Sequence, residues 1–282
     1  MTAQPMPTTG YADVQGARLY YEVAGVGHPL IMLHAGIANL HFWDEQWEPF
    51  ARAYRVVRYD IRGYGKSIMP PGPFNVRDDL HGLMAHLGIE HAYLMGASIG
   101  GGIIVDFALE HPAMVDALIP VVPGLSGGPP PTEEEMRQFQ EIERMMTAAR
   151  EAGNLDLVDE ITARLWVDGP TRTPEQVNPA MRRRVLQMLR DNRAAESGEE
   201  EQPVRLDPPA RGRLGEIAAP TLVVLGDADL PGILVNGDIL ARDIPGARKA
   251  VMHGAAHAPN MEQPEEFNRI VLNFLHDVES AS

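Results

Sequence analysis

The chain contains no cysteine and no long apolar segment, and it is poor in positive charge. Without cysteine it cannot form disulfides, thiolate metal sites or a cysteine nucleophile. Its 24 lysines and arginines stand against 39 aspartates and glutamates, and the formal net charge of −15 repels nucleic acid and anionic membranes. No apolar run approaches the ~20 residues that cross a bilayer, and the polar start lacks the pattern of a secretory signal. We therefore expect a cytoplasmic protein that binds neither nucleic acid nor membranes.

Short apolar runs alternate with helical patterns over the first 120 residues, which predicts an α/β protein. A strand at 18–25 follows a turn at Gln15 and Gly16. The runs rich in β-branched residues are 29–34, 54–60, 91–97 and 115–123. Such runs suit strands buried on both faces, and the helices between them imply right-handed crossovers. The pattern predicts a mostly parallel sheet with helices on both faces.

A helical insert interrupts this alternation. The turn-rich segment LSGGPPP (125–131) is followed by helical signals alone, including a capping box of Thr132 with Glu135 and a start at Asn178–Pro179. Thr173–Pro174 is predicted to begin a helix in the same way, and the acidic stretch 197–203 is predicted to be a solvent-facing loop. Strands then return at 219–227 and 247–253, before a closing helix from Pro264. We predict a core of 1–124 and 215–282 and a helical cap of 125–214.

The segment GASIG (96–100) places Ser98 between two glycines where a predicted strand meets a predicted helix. It fits G-x-S-x-G, a tight turn that exposes a nucleophilic serine. The flanking residues must be small because the turn brings them together, and the free N–H groups at the helix start favour a developing negative charge. Alternatively, Ser98 only caps the helix. A dinucleotide site is disfavoured because the glycines lack the spacing G-x-G-x-x-G.

A serine nucleophile needs a base and an orienting carboxylate, and the chain offers both after its last two predicted strands. His257 is the candidate base, in a loop of small residues. The carboxylate is Asp229 or Asp227, and we favour Asp229 because it lies farther into the loop, whereas Asp227 suits a turn. His253 and His257 have the spacing of a helical zinc site, but Gly254 stands where such a site has glutamate and disfavours a helix. We therefore predict no metal site.

Five segments in this order resemble the α/β-hydrolase superfamily, in its cofactor-free serine hydrolase branch: LHAGIANLHFW, YDIRGYGKS, GASIGG, LGDAD and HAPNMEQPEEF. The likeness covers nearly the whole chain from Val14 to the last helix. It implies an eight-stranded, mostly parallel sheet with a helical cap after the sixth strand, no cofactor, and a triad of Ser98, Asp229 and His257. Within the branch, the chain is most similar to 3-oxoadipate enol-lactonases and related carboxylesterases.

The resemblance also implies an oxyanion hole, formed by the backbone N–H groups of Ile99 and Gly36. The chain has HAG where relatives often have HGG or HGx, so the second donor is left open between Ala35 and Gly36. Candidate pocket residues are Ala35 and Ile37 near that segment, and Phe139 and Trp166 in the cap. Either cap residue could instead belong to the cap's own core.

The function implied by the resemblance is hydrolysis of a small carboxylic ester or lactone through an acyl-enzyme. Cofactor-free haloperoxidases, which are perhydrolases, and C–C bond hydrolases use the same triad and stay open as alternatives. A hydrolase-fold receptor, which binds a small molecule without significant turnover, is the alternative from a different class. Turnover of a generic ester separates the receptor from the enzymes.

Overall fold

The computed structural model describes residues 7–195 and 203–281, and its central element is one sheet of eight strands. The strands are β1 (Thr8–Val14), β2 (Ala17–Ala24), β3 (Pro29–Leu33), β4 (Arg55–Tyr59), β5 (Ala92–Ala97), β6 (Val115–Val121), β7 (Leu222–Gly226) and β8 (Arg248–Met252). Their order across the sheet is β1-β2-β4-β3-β5-β6-β7-β8. The predicted eight-stranded sheet is confirmed.

The first two strands form an antiparallel hairpin, and β2 pairs antiparallel with β4. The hairpin turns at Gln15 and Gly16, both at positive φ, as a two-residue turn between twisted strands requires. From β4 to β8 every pair is parallel. Every residue of β5 and β7 is buried, which explains why these strands are continuous apolar runs in the sequence.

Nine α-helices occur in the described residues. They are α1 (Asp44–Ala51), α2 (Val76–His86), α3 (Ile99–Glu110), α4 (Glu133–Glu151), α5 (Leu155–Ala163), α6 (Pro179–Asn192), α7 (Pro231–Asp243), α8 (Pro259–Glu262) and α9 (Pro264–Ala281). Those of the core lie on both faces of the sheet, as predicted. Successive strand residues face opposite sides, so Met32 packs in a cluster with Phe50 of α1 and Val271 of α9, whereas Ile31 packs in one with Phe107 of α3.

The segment between β6 and β7 contains α4, α5 and α6. The predicted capping box at Thr132 and Glu135 begins α4, and Asn178 caps α6 as expected. Thr173, by contrast, begins only a single 3-10 turn, because Val177 already has an extended backbone. Residues 196–202 lie outside the described residues, so most of the predicted acidic loop is not described.

The cap limits 125–214 stay a prediction, and the end of that segment packs on the core. Leu206, Ala210 and Leu214 are buried in the same cluster as Phe107 of α3 and Leu240 of α7. The helices of the segment differ in burial. Only Ala149 of α4 is buried among the described residues, whereas α6 contributes Met181 and four further residues to the buried set.

The carboxyl ends of β3, β5, β7 and β8 lie at one edge of the sheet because these strands are parallel. Ligand-binding groups of open parallel sheets gather at this edge. Within residues 7–195 and 203–281, no helix combines the length and apolarity needed to cross a bilayer.

Candidate active site

Ser98 occupies a sharp turn between β5 and α3. Its φ is 53° and its ψ is −112°, a backbone conformation that residues other than glycine rarely adopt. Such strain costs on the order of 1–3 kcal/mol and is concentrated at functional sites. The Ser98 side chain makes no capping hydrogen bond to the described N–H groups of α3. The structure therefore gives the serine a position that helix capping does not explain.

Gly96 and Gly100, two residues to either side of Ser98, leave no room for a side chain because backbone atoms lie too close. A Cβ at Gly96 would lie 2.3 Å from the carbonyl oxygen of Gly100. A Cβ at Gly100 would lie 2.7 Å from the carbonyl oxygens of both Leu33 and His34, at the end of β3. These contacts are with backbone atoms that cannot turn away. The predicted closeness of the two flanking residues therefore explains Gly96, whereas Gly100 must be small because it packs against the end of β3.

His257 and Asp229 form a buried pair in the loops that follow β8 and β7. Nδ1 of His257 lies 2.7 Å from Oδ2 of Asp229, and the two side chains are 1% and 0% exposed. The other oxygen of Asp229, Oδ1, accepts a hydrogen bond of 2.7 Å from the backbone N–H of Leu230. Both carboxylate oxygens are thus held, which fixes the plane of the carboxylate and with it the orientation of the imidazole.

Asp227, the alternative carboxylate, is paired with a different histidine. Its Oδ2 lies 2.7 Å from Nδ1 of His253, and its Oδ1 accepts a 2.7 Å hydrogen bond from the N–H of Gly254. The His253 hydrogen bond, followed by that of Gly254, lowers the pKa of the Asp227 carboxyl. The histidine of this pair is 86% exposed. The structure brings Asp229, and not Asp227, to His257.

His253 and His257 do not form the helical zinc arrangement that their spacing allows. Gly254 has a φ of 77° in a turn, and α8 begins only at Pro259, so neither histidine lies on a helix. Each has its own aspartate, and the two carboxylates differ greatly in exposure.

Gly36 and Ile99 are neighbours at the carboxyl end of the sheet. A Cβ at Gly36 would lie 3.5 Å from Cδ1 of Ile99. Ile99 is the first residue of α3, so its N–H is one of the donors that have no partner within the helix. The two backbone donors suggested by the sequence therefore lie on adjacent segments.

The peptide between Ala35 and Gly36 is held in a fixed orientation by His34. Burial lowers the pKa of His34 to about 4, so the ring is neutral at pH 7. Its Nε2 accepts a 2.9 Å hydrogen bond from the N–H of Ile61, which leaves the proton on Nδ1 to bond the carbonyl oxygen of Ala35 at 2.8 Å. In a trans peptide the N–H points opposite to the C=O. The N–H of Gly36 therefore points away from His34.

Trp166 lies against His257, with ring centroids 4.4 Å apart. It belongs to a π-helical turn, Arg164–Asp168, of a kind that is frequent at functional sites. Just beyond it, a Cβ at Gly169 would lie 2.5 Å from the carbonyl oxygen of Ala228, so this segment packs directly on the residue before Asp229.

Arg172 links the segment that contains Trp166 to the His257 loop through hydrogen bonds, an arrangement that was not predicted from the sequence. Its guanidinium contacts Glu262 at 2.6 Å and donates to the carbonyl oxygens of Val167, Asp168 and Gly254. Glu262 also accepts a 2.7 Å hydrogen bond from the N–H of Ala256. The partners are about 90 positions apart, so no local pattern could have paired them.

The remaining predicted pocket residues occupy different environments. Ala35 and Ile37 are buried in the cluster that also contains Val122 and Val167. Phe139 is 38% exposed on α4, a helix that is itself mostly exposed. The assignment of these side chains to a pocket stays a prediction.

Known families and proteins match most of the length of the chain. The sequence profile of the alpha/beta hydrolase fold matches residues 28–264. A 2-hydroxy-6-oxo-6-phenylhexa-2,4-dienoate hydrolase of Comamonas testosteroni is 31% identical over 93% of this chain and 93% of that protein.

Two solved structures resemble the chain over nearly its full length. The enol-lactonase of Burkholderia xenovorans LB400 is 25% identical, with a TM-score of 0.74 over 95% of this chain and all of that one. A thermophilic esterase of Thermogutta terrifontis is 26% identical, with a TM-score of 0.76 over 96% of this chain and 99% of that one.

Proposed function

The chain belongs to the α/β-hydrolase family and is a hydrolase, and from that premise we propose that it cleaves a small carboxylic ester or lactone with Ser98 as nucleophile. The observation that carries the proposal is the buried pair of His257 and Asp229 at the same sheet edge as the strained turn of Ser98. A neutral imidazole held by a carboxylate is the base that a serine hydroxyl needs.

In the proposed reaction, Oγ of Ser98 attacks the carbonyl carbon of the ester while Nε2 of His257 takes the hydroxyl proton. Asp229 accepts the Nδ1–H bond throughout and stabilises the imidazolium. The leaving alkoxide takes the proton from His257, which leaves an acyl group on Ser98. Water then attacks the acyl carbon, His257 takes the water proton and returns it to Oγ, and the carboxylic acid departs.

The negative charge on the carbonyl oxygen is stabilised by the N–H groups of Ile99 and Gly36. We choose Gly36 over Ala35 as the second donor because His34 holds the Ala35 carbonyl and so directs the Gly36 N–H to the other side of the peptide. The start of α3 adds its positive dipole end at the same place. Removing one such donor typically lowers kcat by about 10²–10³-fold.

An ester or lactone is supported as substrate by the named enol-lactonase and esterase among the similar structures. Ile99, the residue after the proposed nucleophile, and Trp166, which lies against His257, have apolar side chains that suit an apolar part of the substrate. Hydrolysis of a C–C bond is the second candidate. It is favoured by one observation, the 31% identity with a dienoate hydrolase over nearly the whole chain.

A substrate panel tests the proposal. Purified protein is assayed with p-nitrophenyl esters of two to eight carbons, with unsubstituted and enol lactones, and with a 2-hydroxy-6-oxo-dienoate, each beside Ser98→Ala. We expect the highest kcat/KM for an ester or lactone, lost in the variant. A preference for the dienoate selects C–C cleavage, and activity that persists in Ser98→Ala contradicts the proposed nucleophile. Absence of turnover with all three classes contradicts the proposed ester or lactone activity.

A further inference from the structure

Three adjacent parallel strands each carry a side chain with a metal-binding atom at the end of the sheet opposite Ser98. His28 precedes β3, His91 precedes β5, and Asp116 is the second residue of β6. In the sheet β5 lies between β3 and β6, and the pairing of Leu30 with Tyr93 sets His28 beside His91. The length of β5, about 20 Å, separates this cluster from the proposed nucleophile.

A β-bulge sets Asp116 apart from the other residues of its strand. Ala92 of β5 pairs with Val115 and the next residue, Tyr93, pairs with Ala117. Asp116 is therefore the inserted residue, which has no pairing partner on β5. Bulges change the direction of a side chain and are over-represented at functional positions. Here the bulge brings the carboxylate to the two histidines.

The three donor atoms converge. One ring nitrogen of His28, one of His91 and a carboxylate oxygen of Asp116 all lie within 4.8 Å of one another. The His28 atom is 2.9 Å from Oδ2 of Asp116, and His91 contacts the same oxygen. Nε2 of His28 is shielded from solvent and makes no hydrogen bond of suitable geometry with any described residue. Its ring is held by Tyr93, at 4.1 Å between centroids.

The cluster lines a surface pocket of about 650 Å³, which has room for an ion together with water or a small anion. Arg248 also lines this pocket, but its guanidinium is paired with Asp277 at 2.5 Å. Glu279 also lines the pocket. The carboxylates at the pocket give it the negative charge that a cation requires.

We propose that His28, His91 and Asp116 bind one divalent first-row transition metal ion, with Zn²⁺ as the representative, and leave a fourth position open toward the pocket. Two imidazoles with one carboxylate are ligands typical of zinc, whereas Mg²⁺ and Ca²⁺ require oxygen ligands. Zinc bonds of about 2.0–2.1 Å at tetrahedral angles place donor atoms about 3.4 Å apart. The 2.9 Å between His28 and Asp116 is close to this spacing, and rotation of the exposed His91 ring adjusts the position of the third donor. The bound ion links β3, β5 and β6.

Metal titration of the chain without an affinity tag tests the site. The chelator-treated protein is titrated with ZnCl₂ by calorimetry, and with CoCl₂ while the visible spectrum is recorded. The variants are His28→Ala, His91→Ala and Asp116→Asn. His253→Ala removes one member of the exposed pair with Asp227, and His276→Ala removes an exposed histidine of α9, so both serve as matched controls.

We expect one Zn²⁺ per chain, a tetrahedral cobalt spectrum, and a melting temperature that rises with zinc concentration. Each ligand variant should lower the affinity by on the order of tenfold or more and shift the zinc-dependent rise to correspondingly higher zinc concentration, whereas the controls keep the wild-type affinity and rise. His91→Ala is decisive because its exposed side chain can be removed without loss of the fold. Binding that is equal in wild type and His91→Ala, or lost equally in His253→Ala, overturns the proposal.

Discussion

Replacing Asp229 with asparagine should inactivate the protein without unfolding it, for a reason that lies in two hydrogen bonds. The N–H of Leu230 donates to Oδ1 of Asp229, while Oδ2 faces Nδ1 of His257. In Asp229→Asn the amide oxygen must stay opposite the Leu230 N–H, so the NH₂ group faces His257. The imidazole then has to carry its proton on Nε2, where it can no longer accept the proton of Ser98.

The expected loss is about 10³–10⁴-fold in kcat, or about 4–5.5 kcal/mol of transition-state stabilisation. Asp227→Asn is a matched control because Asp227 makes the same two bonds, to the Gly254 N–H and to His253, but at an exposed site. It should change kcat by less than about threefold. Initial rates with a p-nitrophenyl ester give both numbers, and thermal melting checks the fold. The reasoning is refuted if Asp227→Asn is the more damaged variant, or if Asp229→Asn keeps its activity.

Three further predictions concern the pH dependence of stability, the tight turn at Ser98 and substrate selectivity. His34 is neutral when folded, with a pKa of about 4 against 6.5 unfolded, so its contribution is intact above pH 6.5 and is lost as the pH falls toward 4. Between pH 7 and pH 5, the free energy of unfolding in urea should therefore fall by about 2 kcal/mol less for His34→Gln than for wild type. An equal fall in both proteins would contradict the buried neutral ring. Gly96→Ala should lower the free energy of unfolding by about 3 kcal/mol or more, because the added Cβ meets a backbone oxygen at 2.3 Å. Gly212→Ala, where the Cβ enters open space, should not change it. Similar melting temperatures for the two variants would show that the turn can relax. Trp166→Ala should change the ratio of kcat/KM between aryl and short alkyl esters by about tenfold, and an unchanged ratio in a destabilised variant would assign Trp166 to the cap core.

The sequence predicts those parts of the molecule that depend on neighbouring residues. Buried strands such as β5 are apolar throughout, and the spacing of Gly96, Ser98 and Gly100 reflects a turn that is local. The pairing of His257 with Asp229 is expected because both follow strands of one parallel sheet, and the family resemblance and the position of Asp229 farther into its loop favour it over Asp227. The helix predicted to begin at Thr173 is only a single 3-10 turn, because the backbone is already extended at Val177.

Contacts between distant segments could not be predicted in this way. Arg172 and Glu262 are joined only when the segment after Trp166 packs on the His257 loop. The meeting of His28, His91 and Asp116 depends on strand register and on a bulge, and neither leaves a local pattern. Phe139 is a candidate pocket residue from the sequence, yet it is partly exposed on α4, and a sequence pattern does not say what covers that face of the helix.

The most direct test of the central claim is labelling by a fluorophosphonate probe, followed by peptide mapping and by kinetics of Ser98→Ala. The account predicts one labelled serine, located at Ser98, and a variant that melts near the wild-type temperature with kcat lowered by about 10⁴–10⁶-fold. Were Ser98 only a helix cap, its loss would cost about 1 kcal/mol of stability and leave the activity unchanged. A label on another serine, or a stable and fully active Ser98→Ala protein, would contradict the account.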